Sequence, residues 1–286
     1  MKLNEVLSKT IQFFKDKKIE SARLDAELLI AHALKIPRIQ LYVKYDSPLN
    51  ESEINLCREF VKRRSNGEPV AYIIEEKGFY GFSFKVKPGV LIPRPETELI
   101  VDEVLKDIKI KHTHSDKIRI LDLGAGTGCI GLSIAKNNSS IELISVEKSV
   151  EAFEILKQNV ELLNLESQVQ LILNDVDNLN PLDLGVFDYI VSNPPYIAEN
   201  DPEVEPMVKR FEPSEALFTE DNGLKFLKSW AQKFRGSLKV GGLIYMEMGY
   251  KQGQQIVKYY SEELKYSDAV ILKDLSGLDR IIKARA

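Results

Sequence analysis

The feature that most constrains the fold is an alternation of short apolar runs with helical segments, which begins at Ile118. The first run ends at Leu123 and is followed by the glycine-rich turn at residues 124–128 and a helical pattern. Strands that alternate with helices form a parallel, doubly wound sheet, and ligands bind where its strands end. Further runs of strand type lie at residues 141–146, 169–173, 189–192, 243–246, 270–272 and 280–282.

The sequence ahead of this alternation is of two other kinds. Residues 1–75 have apolar residues at helical spacing, and Asn50 with Glu53 has the layout of a capping box at a helix start. Aromatic residues and glycines at residues 76–93 predict a β-hairpin. We therefore predict a helical domain at 1–75, a β-hairpin linker at 76–95 and an α/β domain at 96–286.

Net charge and composition limit the kinds of partner and the cellular compartment to be expected. The net charge is −4 and the pI is about 5.7, so the chain has no general attraction for a polyanion. Residues 1–75 have a net charge of +2 and the remainder −6. Two cysteines, Cys57 and Cys129, cannot build a disulfide framework, so we expect a cytoplasmic protein. No apolar run approaches the roughly 20 residues of a membrane span.

The histidines do not suggest a metal site. His112 and His114 lie in a polar stretch without a third ligand nearby, so we expect a surface loop there. We predict no metal ligands elsewhere in the chain.

The glycine turn and two acidic residues predict a cofactor site. Asp122 stands two residues before Gly124, where dinucleotide-binding folds usually have a neutral residue. Glu147 follows the second strand about 20 residues later, where an acid takes ribose hydroxyls. This arrangement is typical of S-adenosylmethionine (AdoMet) methyltransferases. The predicted cofactor-binding residues are Asp122, Gly124, Ala125, Gly126, Thr127, Gly128, Glu147, Asp175, Val176 and Asn193, with Asp175 at the adenine edge.

The strand at residues 189–192 ends in Asn193, Pro194, Pro195 and Tyr196. The prolines end the strand and hold the backbone extended. The Asn193 oxygen and a proline carbonyl can accept the two N–H donors of a planar NH2 group, while Tyr196 stacks on its plane. We predict Asn193, Pro194 and Tyr196 as catalytic residues and all four as substrate-binding residues.

With these motifs placed, the chain resembles the PrmC/HemK family, which methylates the glutamine of the Gly-Gly-Gln motif in peptide chain release factors. The resemblance spans nearly the whole length. Besides the glycine turn and Asn193–Tyr196, similar segments lie at residues 63–73, 91–98, 211–213, 247–250 and 274–280. Val176 departs from the family pattern, because an aromatic ring often lies there against adenine.

The resemblance implies a Rossmann-like seven-stranded AdoMet-dependent methyltransferase domain preceded by a small all-helical substrate-recognition domain and a hairpin linker. It also implies methyl transfer to the glutamine N5 of class-1 release factors, with S-adenosylhomocysteine (AdoHcy) as the product. No membrane and no direct nucleic-acid partner are expected.

Three alternatives remain open at this point. An N6-adenine DNA or RNA methyltransferase would use Asn193–Tyr196 on an exocyclic amine, although the acidic net charge disfavours it. A non-catalytic module that binds AdoMet or a release factor is the second alternative. A NAD-linked oxidoreductase is the third, because NAD enzymes also have a glycine-rich turn.

Overall fold

The computed structural model describes residues 1–111 and 117–286, so the predicted loop at His112 and His114 lies outside the described residues. The chain divides into two compact units, one of Met1–Glu76 with Pro206–Phe211 and one of Lys77–Glu205 with Glu212–Ala286. No helix within the described ranges is long and apolar enough to cross a bilayer.

The first unit is helical. Its helix Glu51–Ser65 begins with the predicted capping box, because Asn50 Oδ1 accepts from the Glu53 N–H and the Glu53 carboxylate accepts from the Asn50 N–H, each at 2.9 Å. Phe14, Leu29 and Leu41 are fully buried in its core. Numbered along the whole chain, its helices are α1 (Leu3–Asp16), α2 (Ala22–Ala33), α3 (Gln40–Val43), α4 (Glu51–Ser65), α5 (Val70–Ile74) and α10 (Pro206–Phe211).

A two-stranded hairpin follows, made of β1 (Glu76–Phe79) and β2 (Phe82–Lys85). Tyr80 and Gly81 form its turn, both with positive φ, as a tight turn between twisted strands requires. Phe79 and Phe84 are buried, and their rings meet edge to face at 6.0 Å.

The second unit is built on a seven-stranded sheet, which confirms the predicted fold class. Its strands are β3 (Ile118–Leu123), β4 (Ile141–Glu147), β5 (Val169–Leu173), β6 (Phe187–Ser192), β9 (Leu238–Glu247), β10 (Ser267–Lys273) and β11 (Asp279–Arg285). Their order across the sheet is β10-β11-β9-β6-β3-β4-β5. The sheet is not parallel throughout, because β11 pairs antiparallel with both β9 and β10. The short connection between β10 and β11 allows only a hairpin, since a parallel pair needs a long crossover.

Helices cover both faces of this sheet. Alternate residues of β3 enter two separate cores: Ile118 and Ile120 face one, and Leu121 and Leu123 face the other. The first core contains the helices at residues 98–111, 129–137 and 150–163, and the second contains those at residues 225–234 and 253–258. The helices of this unit are α6 (Glu98–Lys111), α7 (Cys129–Asn137), α8 (Val150–Leu163), α9 (Pro181–Leu184), α11 (Ser214–Leu217), α12 (Lys225–Phe234) and α13 (Gly253–Lys258), and two short strands, β7 (Ile197–Ala198) and β8 (Phe218–Thr219), pair with each other.

The strand order reverses beside β3. Strands β4 and β5 lie on one side of β3, and β6 and β9 lie on the other. Leu123 pairs with Ser192, and Ser192 pairs in turn with Met246, so these three strands end at the same level. A crevice forms outside the strand ends at such a reversal, and ligands bind in it.

Candidate active site

A cleft opens at this reversal, with about 960 Å³ of empty space when its open mouth is included. It joins the carboxyl ends of β3, β4, β5 and β6 to the segment that precedes α6. Nine of the predicted site residues line it: Gly124, Ala125, Gly126, Thr127, Glu147, Asp175, Val176, Asn193 and Pro195. The other four, Asp122, Gly128, Pro194 and Tyr196, are not part of its lining.

Glu147 ties the glycine turn to the end of β4. Its Oε2 accepts from the Gly126 N–H at 2.7 Å, and its Oε1 accepts from the N–H groups of Lys148 and Ser149 at 2.9 and 2.8 Å. A carboxylate has about four acceptor positions, so Oε2 retains one for a ligand hydroxyl. Burial raises the pKa of Glu147, and the three N–H donors oppose that shift.

Asp122 lies beneath the turn, where it is buried. Its Oδ2 accepts from the Gly131 N–H at 3.1 Å, which ties the end of β3 to the first turn of α7. Its Oδ1 is buried and accepts no hydrogen bond from the described residues. Burial raises the pKa of this carboxyl to about 7, and Glu147 adds to the shift. The structure therefore gives Asp122 a supporting position under the turn.

An apolar and aromatic wall stands beside Asp175. Val176 is buried, and Phe226 and Trp230 of α12 line the same cleft, with their ring centroids 4.9 Å apart. Trp230 Nε1 donates to Asp177 Oδ1 at 3.0 Å, which fixes the indole against this loop. The cleft thus contains aromatic rings although Val176 itself is aliphatic.

Arg94 and Glu212 hold the segment that approaches α6. Arg94 Nη2 donates to Glu212 Oε1 at 2.6 Å, and Glu212 Oε2 accepts from the Ile92 N–H at 3.2 Å. Glu212 is buried, whereas Arg94 is half-buried and lines the cleft. The guanidinium is therefore held at the cleft wall by its carboxylate partner.

Asn193 lies at the end of β6 in a short polar network. Its Nδ2 donates to Thr97 Oγ1 at 3.2 Å. Thr97 Oγ1 donates to Glu247 Oε2 at 2.5 Å, and the Tyr196 hydroxyl donates to Glu247 Oε1 at 2.9 Å. Among the residues that the structure describes, none donates to Asn193 Oδ1 or to the Pro194 carbonyl. Burial and the neighbouring Glu247 raise the pKa of Tyr196, which keeps its hydroxyl protonated.

The backbone of Tyr196 is fixed as well. Its carbonyl accepts from Gln252 Nε2 at 2.8 Å, and the following residues pair as β7 with β8. Gln252 also donates to the Asn222 carbonyl at 3.1 Å. The Asn-Pro-Pro-Tyr segment is therefore held at both ends, by the sheet before it and by these contacts after it.

These residues fit AdoMet. Gly126 leaves open space where a side chain would lie, so backbone can approach a ligand closely. Glu147 Oε2 can take a ribose hydroxyl, and the wall of Val176, Phe226 and Trp230 can take a flat base. The acidic side chains at the cleft suit a ligand with an amino group and a sulfonium.

Sequence reasoning missed several of these residues. Thr97 and Glu247 lie in segments that are similar to the family, but the sequence analysis predicts no role for them. Phe226, Trp230 and Gln252 are absent from the predicted site. One signal was present: Glu247 ends a strand, as Glu147 does, and acids at strand ends gather at one edge of a parallel sheet. The sequence of α12 gave no comparable signal, because aromatic residues at helical spacing are typical of the buried face of a helix.

Comparison with known proteins shows the family of this chain. A family profile described as the PrmC N-terminal domain matches residues 5–74, and one described as the methyltransferase small domain matches residues 97–227. A release factor glutamine methyltransferase of Geobacter sulfurreducens is 35% identical over 99% of this chain and 96% of its own length. The enzyme of that name from Leptospira interrogans is 39% identical over 97% of this chain and 96% of its own.

Solved structures share the fold. The catalytic domain of human METTL16 in complex with an RNA hairpin has a TM-score of 0.56 and 17% identity, covering 72% of this chain and 76% of its own. The N-terminal domain of human METTL16 in complex with AdoHcy has a TM-score of 0.54 and 18% identity, covering 72% of this chain and 76% of its own. With relatives of this similarity over nearly its whole length, the chain belongs to the release factor glutamine methyltransferase family and is an AdoMet-dependent methyltransferase.

Proposed function

We propose that this enzyme transfers the methyl group of AdoMet to the side-chain nitrogen N5 of the glutamine in the Gly-Gly-Gln motif of class-1 peptide chain release factors. The observation that carries the proposal is the pair of acceptors at Asn193 Oδ1 and the Pro194 carbonyl. Neither receives a donor from the described residues, and Asn193 lines the same cleft as the glycine turn. A primary amide has two N–H donors on one nitrogen, which matches two acceptors on adjacent residues.

Methyl transfer to an amide nitrogen requires alignment of the nitrogen with the methyl group more than it requires an acid or a base. An amide nitrogen is a weak nucleophile, because its lone pair is delocalised into the carbonyl. When bound, AdoMet supplies an electrophilic methyl group on a sulfonium. Asn193 and Pro194 hold the two amide hydrogens, so the remaining electron density of the nitrogen faces the cleft. The same two oxygens stabilise the positive charge that develops on the nitrogen as the N–C bond forms and the C–S bond of the sulfonium breaks, and the methylated nitrogen then loses one N–H proton to solvent. Tyr196 packs its ring against the amide plane.

We assign recognition of the release factor to residues 1–75, with residues 76–95 as the linker and 96–286 as the catalytic domain. Support comes from the relatives, whose name includes their protein substrate, and from apolar side chains on the helical unit. Ile39 and Val43 are 67% and 72% exposed, beside the half-exposed Tyr42. Contiguous exposed apolar residues mark interaction surfaces. Ile39→Asp with Val43→Asp should raise KM for the release factor and leave AdoHcy affinity unchanged.

The experiment that tests the proposal is transfer of labelled methyl from AdoMet to a release factor, to the same factor with its Gly-Gly-Gln glutamine changed to alanine, and to DNA and RNA. We expect label on the intact factor alone. Equal label on both factors, or label on nucleic acid, would overturn the proposed substrate. No label on any acceptor, with AdoHcy binding intact, would overturn it too and support a non-catalytic module.

A further inference from the structure

A chain of hydrogen bonds runs from the Asn193 amide through Thr97 to Glu247, and Tyr196 joins it at Glu247. Glu247 ends β9, which lies next to β6, and both Glu247 and Thr97 are 1% exposed. The Glu247 carboxylate accepts two hydrogen bonds, one from the Thr97 hydroxyl at 2.5 Å and one from the Tyr196 hydroxyl at 2.9 Å. Thr97 in turn meets Asn193 Nδ2 at 3.2 Å.

The direction of each hydrogen bond follows from the chemistry of the groups. An ionised carboxylate only accepts, so both hydroxyls must donate to Glu247. Burial raises the pKa of Glu247, while hydrogen bonds from these two hydroxyls and the Arg280 guanidinium oppose that shift. The geometry fits the ionised form, because each carboxylate oxygen has one hydroxyl partner, at 2.5 and 2.9 Å. The single hydrogen of the Thr97 hydroxyl is then committed to Glu247. Its oxygen can only accept from Asn193, which must present its NH2 group to Thr97.

We propose that Thr97 and Glu247 are positioning residues that fix the orientation of the Asn193 amide. With NH2 turned to Thr97, the Asn193 oxygen faces the substrate and can accept from the glutamine NH2. In the flipped orientation, Asn193 would present its own NH2 to the substrate NH2, and two donors would face each other. This inference rests on the proposed function, because it requires Asn193 to hold a substrate amide.

The same carboxylate also fixes the aromatic residue of the motif. Glu247 Oε1 holds the Tyr196 hydroxyl, while Glu247 Oε2 holds Asn193 through Thr97. One buried group at the end of β9 therefore sets both the acceptor and the ring that meet the substrate amide. Such support determines how accurately a site is held, and an error of about 1 Å can cost about 100-fold in rate.

The matched pair Thr97→Val and Thr97→Ser tests this. Valine keeps the shape of threonine but removes the hydroxyl, so the Asn193 amide loses its orienting acceptor. We expect kcat for the release factor to fall about 10- to 100-fold, with AdoHcy affinity within about twofold of the parent. Serine retains the hydroxyl and should restore most of kcat.

A double-mutant cycle separates orientation from a general structural role. In the Asn193→Ala background there is no amide to orient, so Thr97→Val should change kcat by no more than about twofold. Glu247→Gln should resemble Thr97→Val, because a glutamine can present its own NH2 to Thr97 and reverse the chain of donors. Melting temperatures and AdoHcy titrations of every variant identify any that fail to fold.

The possible results distinguish failure of the orientation inference from failure of the proposed function. If the parent methylates the Gly-Gly-Gln glutamine and Thr97→Val matches it in kcat, the orientation inference is wrong while the proposed function holds. Equal losses from Thr97→Val with and without Asn193 would also contradict the inference, because they would show that Thr97 acts elsewhere. If the parent itself does not methylate that glutamine, the proposed function fails first.

Discussion

Gly223 is the position where one added methyl group should do most damage to the site. It has φ of +85°, and a Cβ built on it would lie 2.0 Å from the Tyr196 carbonyl oxygen and 2.5 Å from Gln252 Nε2. Real Cβ atoms essentially never approach another atom within 3.0 Å, so Tyr196 or Gly223 must move by about 1 Å or more. The atom in the way is backbone, which cannot rotate aside. Gly223→Ala should therefore displace the Asn-Pro-Pro-Tyr segment.

The expected loss in the free energy of unfolding of Gly223→Ala has two parts. The left-handed conformation costs alanine about 1–2 kcal/mol, and loss of the Gln252 to Tyr196 hydrogen bond costs about 1 kcal/mol more. A loss of roughly 2–3 kcal/mol lowers Tm by roughly 4–12 °C in a domain of this size. The displacement of about 1 Å should lower kcat about 100-fold. Thermal unfolding and steady-state methyl transfer measure the two effects separately.

Gly241→Ala is the matched control. Gly241 has φ of +77°, but a Cβ there would meet no atom within 4 Å. This variant therefore has the backbone cost of about 1–2 kcal/mol without the clash, and kcat should stay within about threefold of the parent. If Gly223→Ala lowered Tm and kcat no more than Gly241→Ala, the packing of Gly223 against Tyr196 would not support the site.

Three further predictions concern the cleft and the glycine turn beside it. Asn193→Ala should lower kcat about 100-fold or more while changing AdoHcy affinity far less; equal losses would contradict its role on the substrate. Burial raises the pKa of Asp122 to about 7. The folded state therefore keeps a proton that the unfolded state releases near pH 4. As a result, the free energy of unfolding falls as the pH rises from about 4 to about 7. Asp122→Asn should therefore raise Tm relative to the parent more at about pH 8 than at about pH 5, and an equal difference at both would refute this. Trp230, the one tryptophan of the chain, lines the cleft, so AdoHcy should change the intrinsic fluorescence saturably; an unchanged signal at calorimetric saturation would place the ligand elsewhere.

The sheet was predictable because its strands are short apolar runs separated by helical segments. The predicted start of β3 at Ile118 and its end at Leu123 agree with the structure. Period and composition do not report strand direction, so the antiparallel position of β11 was not anticipated. The inclusion of Pro206–Phe211 in the helical unit was also not anticipated, because it depends on contacts between segments far apart in the sequence.

The candidate site was predictable where motif and strand end coincide. The glycine turn, Glu147 and Asn193 all follow directly from strands, and the topology brings their ends together. Asp122 was expected to contact the cofactor, but it lies beneath the turn and outside the lining of the cleft. Thr97 and Glu247 could not be assigned roles from sequence, because their partners are 96 and 150 residues away along the chain.

The most direct test of the account is the chemical position of the methyl group. A release factor is methylated with labelled AdoMet, and the modified peptide is sequenced and then hydrolysed in acid. We predict a single labelled methyl on the Gly-Gly-Gln glutamine, released as methylamine, because only a methylated side-chain nitrogen gives that product. Label on another residue, or label released as methanol from an ester, would contradict the role assigned to Asn193 and Pro194.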